Sequence, residues 1–263
     1  MRFCSLSSCS YANSVVVQDG DTCLLVDCGL RKRDIKPFLN RVGLSAGDID
    51  AVLVTHCHTD HVYGLRFFLK EKGVPVYSTG RVIRQLAGTC AFDENPGFGV
   101  MQECEESRIG GIRVTPIRLS HDVETVGFIL ESGGERLGLF TDTGFVPEEC
   151  LVALRSLDYL YIESNHDVEL YRRSLKPRHV IRRNLGPAGH LSNDQCADAL
   201  GTMDNGRCRL VVLGHLSEED NSPARAIKTA GSRLAGGVGL AVAPPRFPGE
   251  WSDELLRRNG SLL

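Results

Sequence analysis

No apolar run in this 263-residue chain approaches the ~18 residues that a membrane-crossing helix needs, so no membrane-spanning segment is expected. The opening residues, Met1-Arg2-Phe3-Cys4-Ser5-Leu6-Ser7-Ser8, contain no apolar h-region, and export by a standard signal is not expected. The ten cysteines include no C-x-x-C pair, which argues against a zinc ribbon or a thioredoxin-like site. At about 4% of residues they also fall below the ~8–10% of a disulfide scaffold. Glycine is plentiful, 28 of 263, but has no triplet period, which excludes a collagen-like chain. No internal repeat, low-complexity tract or linker interrupts the sequence. These absences leave a cytoplasmic protein with reduced thiols, folded as one domain over residues 1–263.

What is present suits a folded chain: 42% hydrophobic, 24% charged, net charge −3. A chain this long buries about 70–75% of its unfolded surface and needs neither a disulfide nor a metal to fold. Short β-branched segments at 15–17, 23–27, 51–55, 74–77, 112–119, 126–131 and 136–141 read as strands. Gly133-Gly134 forms a hairpin turn between the last two. Helical patterns fall at 34–42, 60–72, 81–87 and 147–154. Beyond them come strand 159–162, helix 192–203, strand 210–213 and helix 223–233. The mixture predicts an α+β fold with two mainly antiparallel sheets and helices outside.

The densest chemical signal is Thr55-His56-Cys57-His58-Thr59-Asp60-His61, directly after the strand at 51–55. Imidazoles and carboxylates suit divalent ions such as Zn²⁺, Mn²⁺ or Fe²⁺. His56 and His58, two apart in extended backbone, point to one side and can share an ion. Asp60 and His61, where the chain turns into a helix, can face a second. Cys57 between them should point away as a small apolar filler. His121, Asp142 and His215 each sit where an apolar strand meets a loop, the place where a rigid scaffold holds ligands. Together they would complete two sites. His56, His58 and His121 would hold one ion, Asp60, His61 and His215 the other, with Asp142 bridging.

The T-H-x-H-x-D-H motif, preceded by Leu24-Leu25-Val26-Asp27-Cys28-Gly29 and followed by separate His, Asp and His positions, resembles the metallo-β-lactamase superfamily. That resemblance implies a four-layer αββα sandwich with the metals at one edge of the sheets. A bridging Asp142, where true lactamases carry cysteine, is typical of the two-metal hydrolases. Three segments are similar to the YycJ/WalJ group of bacterial proteins: Tyr161-Ile162-Glu163-Ser164-Asn165-His166-Asp167, Gly189-His190-Leu191-Ser192-Asn193-Asp194 and Gly214-His215-Leu216-Ser217. The group's members are implicated as nucleases, 5′→3′ exonucleases on DNA. Gly189-His190-Leu191-Ser192 also resembles the G-H-S-T segment of transfer-RNA 3′ processing enzymes, in which the histidine acts near the scissile phosphate and an acid orients it. One departure stands near the N-terminus: Cys9 and Ala12 replace glycines of the group's L-x-S-G-S-x-G-N loop, which limits close approach of that backbone to a ligand.

The resemblance implies a binuclear phosphodiesterase, a nuclease with DNA favoured over RNA. Two divalent ions ~3.5–4 Å apart can share a hydroxide and clamp phosphate oxygens. Asp60, a ligand, could also orient the nucleophile. His190 would donate the leaving-group proton, since imidazole exchanges protons near neutral pH, and Glu163 would set its orientation. His166 is expected to contact phosphate or to support a ligand. Arg172, Arg173, Lys176, Arg178, Arg182 and Arg183 place six cations in twelve residues with no acid; without them the rest of the chain carries −9. Such a run suits a nucleic-acid backbone. The alternatives are a small cyclic or alkyl phosphodiesterase and a glyoxalase II-like thioesterase. The latter usually carries an added helical region, and only 48 residues follow His215.

Overall fold

The computed structural model describes residues 1–89, 97–203, 206–234 and 236–260. The first sheet takes its strands in chain order: β1 (Arg2–Cys9), β2 (Ala12–Asp19), β3 (Thr22–Val26), β4 (Ala51–Leu53), β5 (Val76–Thr79) and β6 (Phe98–Met101). Helices α1 (Lys32–Arg41), α2 (Thr59–Val62) and α3 (Gly80–Thr89) join its later strands. The second sheet is built from β7 (Ser107–Ile109), β8 (Ile112–Leu119), β9 (Thr125–Ser132), β10 (Glu135–Phe140), β11 (Tyr159–Glu163), β12 (Leu210–Gly214) and β13 (Gly239–Val242), in that spatial order. Between these strands run α4 (Glu148–Leu154), α5 (Val168–Arg172), α6 (Arg178–Asn184), α7 (Asn193–Leu200) and α8 (Pro223–Gly231), while α9 (Ser252–Gly260) packs on β1 and β13.

Alternation along the second sheet divides its residues between two cores. Leu137, Leu139, Tyr159, Tyr161, Leu210 and Val212 face the first sheet. Phe140, Leu160, Ile162, Val211 and Leu213 face the other way, onto Leu154 of α4, Leu200 of α7 and Ala226 of α8. On the opposite side α1 buries Ile35 and Leu39, and α3 buries Val82 and Leu86. Helix, sheet, sheet and helix thus stack as the expected αββα sandwich.

The sheets are mixed rather than mainly antiparallel. β1, β2 and β3 pair antiparallel through tight turns, as do β7 to β10, whereas β3 to β6 and β10 to β13 pair parallel. Each parallel pair is joined by a longer excursion, in most cases through a helix, and a crossover of that length returns the chain in the same direction. As a consequence β3, β4, β8, β10, β11 and β12 all end at one edge.

The helix expected at 60–72 is broken. α2 stops at Val62, and a π-helical segment, Phe67–Lys72, follows. Gly64 explains the break: its amide donates to Cys28 O at 2.8 Å instead of continuing the helix. A Cβ on Gly64 would lie 2.4 Å from Leu30 O, so only glycine fits against this backbone.

Candidate metal centre

All seven expected ligands meet at the common edge. His56, His58 and His121 form one cluster, and Asp60, His61 and His215 another, with ligand atoms in each lying within 4.8 Å of one another. Asp142 joins both groups: its Oδ2 lies 3.2 Å from His61 Nε2, its Oδ1 lies 3.4 Å from His215 Nδ1, and it clusters with His56.

Each of four imidazoles spends its Nδ1–H on a fixed acceptor. His61 donates to Asp27 Oδ2 at 2.7 Å, and His56 to Thr55 Oγ1 at 2.9 Å. His121 donates to Gly189 O at 3.0 Å, and His215 to Glu163 Oε1 at 2.9 Å. The Nε2 atoms are thereby aimed into the centre. Those of His56, His121 and His215 are buried without a hydrogen-bond partner, as is Asp142 Oδ2. Buried polar atoms left without partners at one place are costly, and a divalent cation that takes the place of the Nε2 protons would satisfy them. The donor set fits two divalent ions.

Backbone strain marks the same edge. Asp27, Asp142 and His215 hold positive φ angles of 59°, 59° and 53°, each just past the end of β3, β10 or β12. Non-glycine residues in this region cost on the order of 1–3 kcal/mol each, and such strain gathers at functional sites.

Charge is tightly balanced. Burial disfavours a charged His61, yet Asp142, Asp60 and Asp27 hold its imidazole well above the usual range; Asp142, Asp60 and Glu163 do the same for buried His215. Burial likewise opposes ionisation of Asp60 and Asp142, but the surrounding histidines hold both carboxyls well below the ordinary value. His56 and His121 are pushed down by burial, which keeps them neutral and available as ligands.

Residues 8–215 match the model of the metallo-beta-lactamase superfamily. The chain belongs to this superfamily. Two curated relatives within reach are exodeoxyribonuclease YycJ of Bacillus anthracis, 30% identical over 84% of each chain, and exodeoxyribonuclease WalJ of Streptococcus pneumoniae, 29% identical over 89% of this chain and 88% of that one. The crystal structure of the metallo-beta-lactamase fold protein YhfI from Bacillus subtilis superposes with a TM-score of 0.71 at 18% identity, covering 95% of this chain and 99% of the other. That likeness shows the superfamily fold.

Beside the candidate ligands, fully buried Glu163 accepts from His190 Nδ1 at 2.7 Å as well as from His215. Its other oxygen accepts from the amides of Thr143 and Leu191, at 3.0 and 3.2 Å. Burial opposes its ionisation, but His190 and His215 hold the carboxyl down at about 2. The His190 ring lies 5.0 Å from that of His121 and 5.1 Å from that of His215, at the mouth of the centre.

His166 is fully buried against Tyr171, with ring centroids 4.6 Å apart, and lies in none of the ligand clusters. Cys57 points away, its Sγ 3.8 Å from Gln85 Oε1. The basic run divides. Arg183 reaches Asp122 Oδ2 at 3.2 Å, while Lys176 is held by Glu219 at 2.8 Å and by Asp220. Arg172, Arg173, Arg178 and Arg182 are exposed.

Three further residues support the centre in ways the sequence does not announce, although Thr55 opens the histidine motif and Asn13 closes the N-terminal loop. Asn13 Nδ2 donates to Asp60 Oδ2 at 3.0 Å and lies 3.0 Å from His61 Nε2. Asp122 Oδ1 stands 3.3 Å from both His58 Nε2 and His121 Nε2. Thr55 Oγ1 links His56 to Asp27, donating to Asp27 Oδ2 at 2.7 Å. Asn and Asp are common in turns, so only tertiary placement sets these apart.

Proposed function

We propose that this protein is a binuclear metal-dependent phosphodiesterase acting as a nuclease, 5′→3′ exonuclease-like and with DNA as the preferred substrate. Zn²⁺ and Mn²⁺ both suit its His/Asp ligands. The names of the relatives, exodeoxyribonucleases at about 30% identity over most of both chains, support this reading.

The observation that carries it is the Glu163 carboxylate shared between His190 and His215. Two divalent ions, when bound, supply charge neutralisation at the phosphate and an activated water. The remaining requirement is a proton for the departing alkoxide. His190, with Nδ1–H fixed on Glu163, presents Nε2 towards the mouth of the centre, and the carboxylate stabilises the imidazolium that must give the proton up. A thiolate leaves without such help, because its conjugate acid is far stronger than an alcohol. The His190–Glu163 pair therefore favours a phosphodiester over a thioester. Asp60, braced by Asn13, orients the nucleophile besides holding metal. Arg172, Arg173, Arg178 and Arg182 supply sequence-independent phosphate contacts, and Arg183 brings the basic segment to the centre through Asp122.

The test is an assay of metal-stripped protein resupplied with Zn²⁺ or Mn²⁺. Substrates are labelled single- and double-stranded DNA, RNA, bis(p-nitrophenyl) phosphate and a thioester. The expected result is metal-dependent cleavage of DNA and of the bis-ester. Thioester cleavage without diester cleavage would overturn the reading.

A further inference from the structure

A groove of about 910 Å³ runs beside the metal loop. Its size is that of a ligand site rather than of a packing defect, and no residue expected from the sequence to bind substrate lines it. Arg31, Lys32, Arg33 and Arg246 line it with one acid, Asp34. Lys32 is paired with Glu71 at 2.6 Å and Arg33 lies 3.7 Å from Asp34. All three arginines keep their guanidinium groups at the surface, so the lining presents more cations than acids. Two large aromatic side chains stand open to solvent in the same walls: Tyr11 is 65% exposed and Tyr63 is 60% exposed. Arg246 lies over the Tyr11 ring at 4.6 Å, held there by Glu218 at 3.0 Å. Burying such rings would be favourable, so their exposure on one basic groove calls for a partner with flat apolar faces and negative charge.

The groove adjoins the metal loop. Thr59, which precedes the ligand Asp60, forms part of its wall, and Ala12 precedes Asn13, which donates to Asp60. Gly29 seals the junction: its amide donates to Asn13 O at 3.0 Å, and a Cβ there would lie 1.6 Å from Asp60 O.

We propose that this groove receives a single-stranded nucleic-acid chain on its way to the metal centre, with bases stacked on Tyr11 and Tyr63 and the backbone tracked by Arg31, Arg33 and Arg246. Cations combined with exposed aromatic faces are the chemistry of single-strand recognition, because every unpaired base offers a π-face and every linkage a phosphate. A duplex hides its base faces in the stack and gains nothing from the tyrosines. The N-terminal loop, where Cys9 and Ala12 stand in place of glycines, therefore contributes through a side chain at its tip rather than through close backbone approach. This deepens the nuclease reading and rests on it for the nature of the substrate.

The experiment measures binding separately from turnover. Metal-loaded protein is titrated into fluorescein-labelled, phosphorothioate-linked oligonucleotides of about 12 nucleotides, as single-stranded DNA, single-stranded RNA and blunt duplex, followed by anisotropy. Tyr11→Ala and Tyr63→Ala should each weaken single-strand binding about five- to tenfold and duplex binding less than twofold. Arg31→Gln with Arg33→Gln should flatten the dependence of log K on log salt by about one to two units. Melting temperatures and metal content of the variants establish that they are folded and loaded. Unchanged single-strand affinity in folded tyrosine variants would overturn the proposal, as would equal losses on single strand and duplex. A loss on RNA with none on DNA would overturn the choice of DNA as substrate. Failure here leaves the hydrolytic reading standing, whereas absence of bis-ester turnover by the loaded wild type would remove that reading on its own.

Discussion

Asp27 Oδ2 accepts a hydrogen bond from His61 Nδ1 at 2.7 Å, and through Thr55 Oγ1 the same oxygen also steers His56. One carboxylate, at a residue with φ of 59°, thus orients a ligand of each metal cluster. Asp27→Ala should lower metal affinity about 10- to 100-fold, the usual effect of removing a hydrogen-bond partner from a ligating histidine. Competition with a chelator reads this directly, and circular dichroism of the loaded variant establishes the fold. Wild-type metal affinity in a folded variant would dismiss the role.

Glu163 is expected to act through His190 rather than on substrate. His190→Ala and Glu163→Gln should each reduce kcat by about 10²- to 10⁴-fold. The double variant should be little worse than either single, because the two residues form one unit. The pH profile of kcat should lose one limb in His190→Ala and keep it in Glu163→Gln, which retains the imidazole. Losses that multiply in the double variant would mean that the two side chains work independently.

His166 makes stability depend on pH. Burial pushes its imidazole down to about 4 in the folded chain, whereas an unfolded chain protonates the same group near ~6.5. Between these values the unfolded state binds the extra proton. Stability from a neutral His166 is therefore complete above pH ~6.5 and declines as pH falls towards 4. From pH 7 to pH 5 the decline attributable to this residue is about 2 kcal/mol. Urea denaturation at both pH values should show that His166→Gln loses less stability over the interval than wild type by roughly this amount. Parallel losses would remove His166 as the cause.

Gly29 carries no positive φ, yet it is irreplaceable by packing. An added methyl would meet the Asp60 carbonyl at 1.6 Å and the Asn13 amide at 2.8 Å, and both contacts are backbone. Gly29→Ala should displace the metal loop, lowering stability by about 1–3 kcal/mol and reducing bound metal. Thermal melts and metal analysis of the purified variant check both. A variant with wild-type melting temperature and full metal content would show that the loop can shift without cost.

The cluster of candidate ligands was legible because of where its members stand. His56, His58, Asp60 and His61 share one short loop, and His121, Asp142 and His215 each end an apolar strand. β1 was not legible. Its sequence, Arg2-Phe3-Cys4-Ser5-Leu6-Ser7-Ser8-Cys9, has no apolar alternation, although nearly all of it is buried. The serines are tolerated because partners reach them from elsewhere: Ser8 Oγ accepts from Tyr161 Oη and from the His215 amide, both at 2.7 Å, and Ser7 Oγ donates to Pro245 O at 2.7 Å. Such satisfaction is invisible in a local pattern. The short strands β6, β7 and β13 and the helices α5, α6 and α9 escaped for a related reason, since three to nine residues carry too little periodicity to be read alone.

Residue order alone singled out the residues that gather at the edge, because metal binding asks for particular side-chain types and the strand–loop pattern already isolates them. It also settled the layered α+β class, through the spacing of apolar segments. Tertiary structure alone decided the direction of the strands, which gathers six of their ends at one edge. It also decided which carboxylate holds which imidazole and which cations and tyrosines share a groove with the metal loop. Those relations join residues up to 235 positions apart, as in Tyr11 and Arg246. Proximity across such distances is set by packing of the sheets, not by any local preference of the chain.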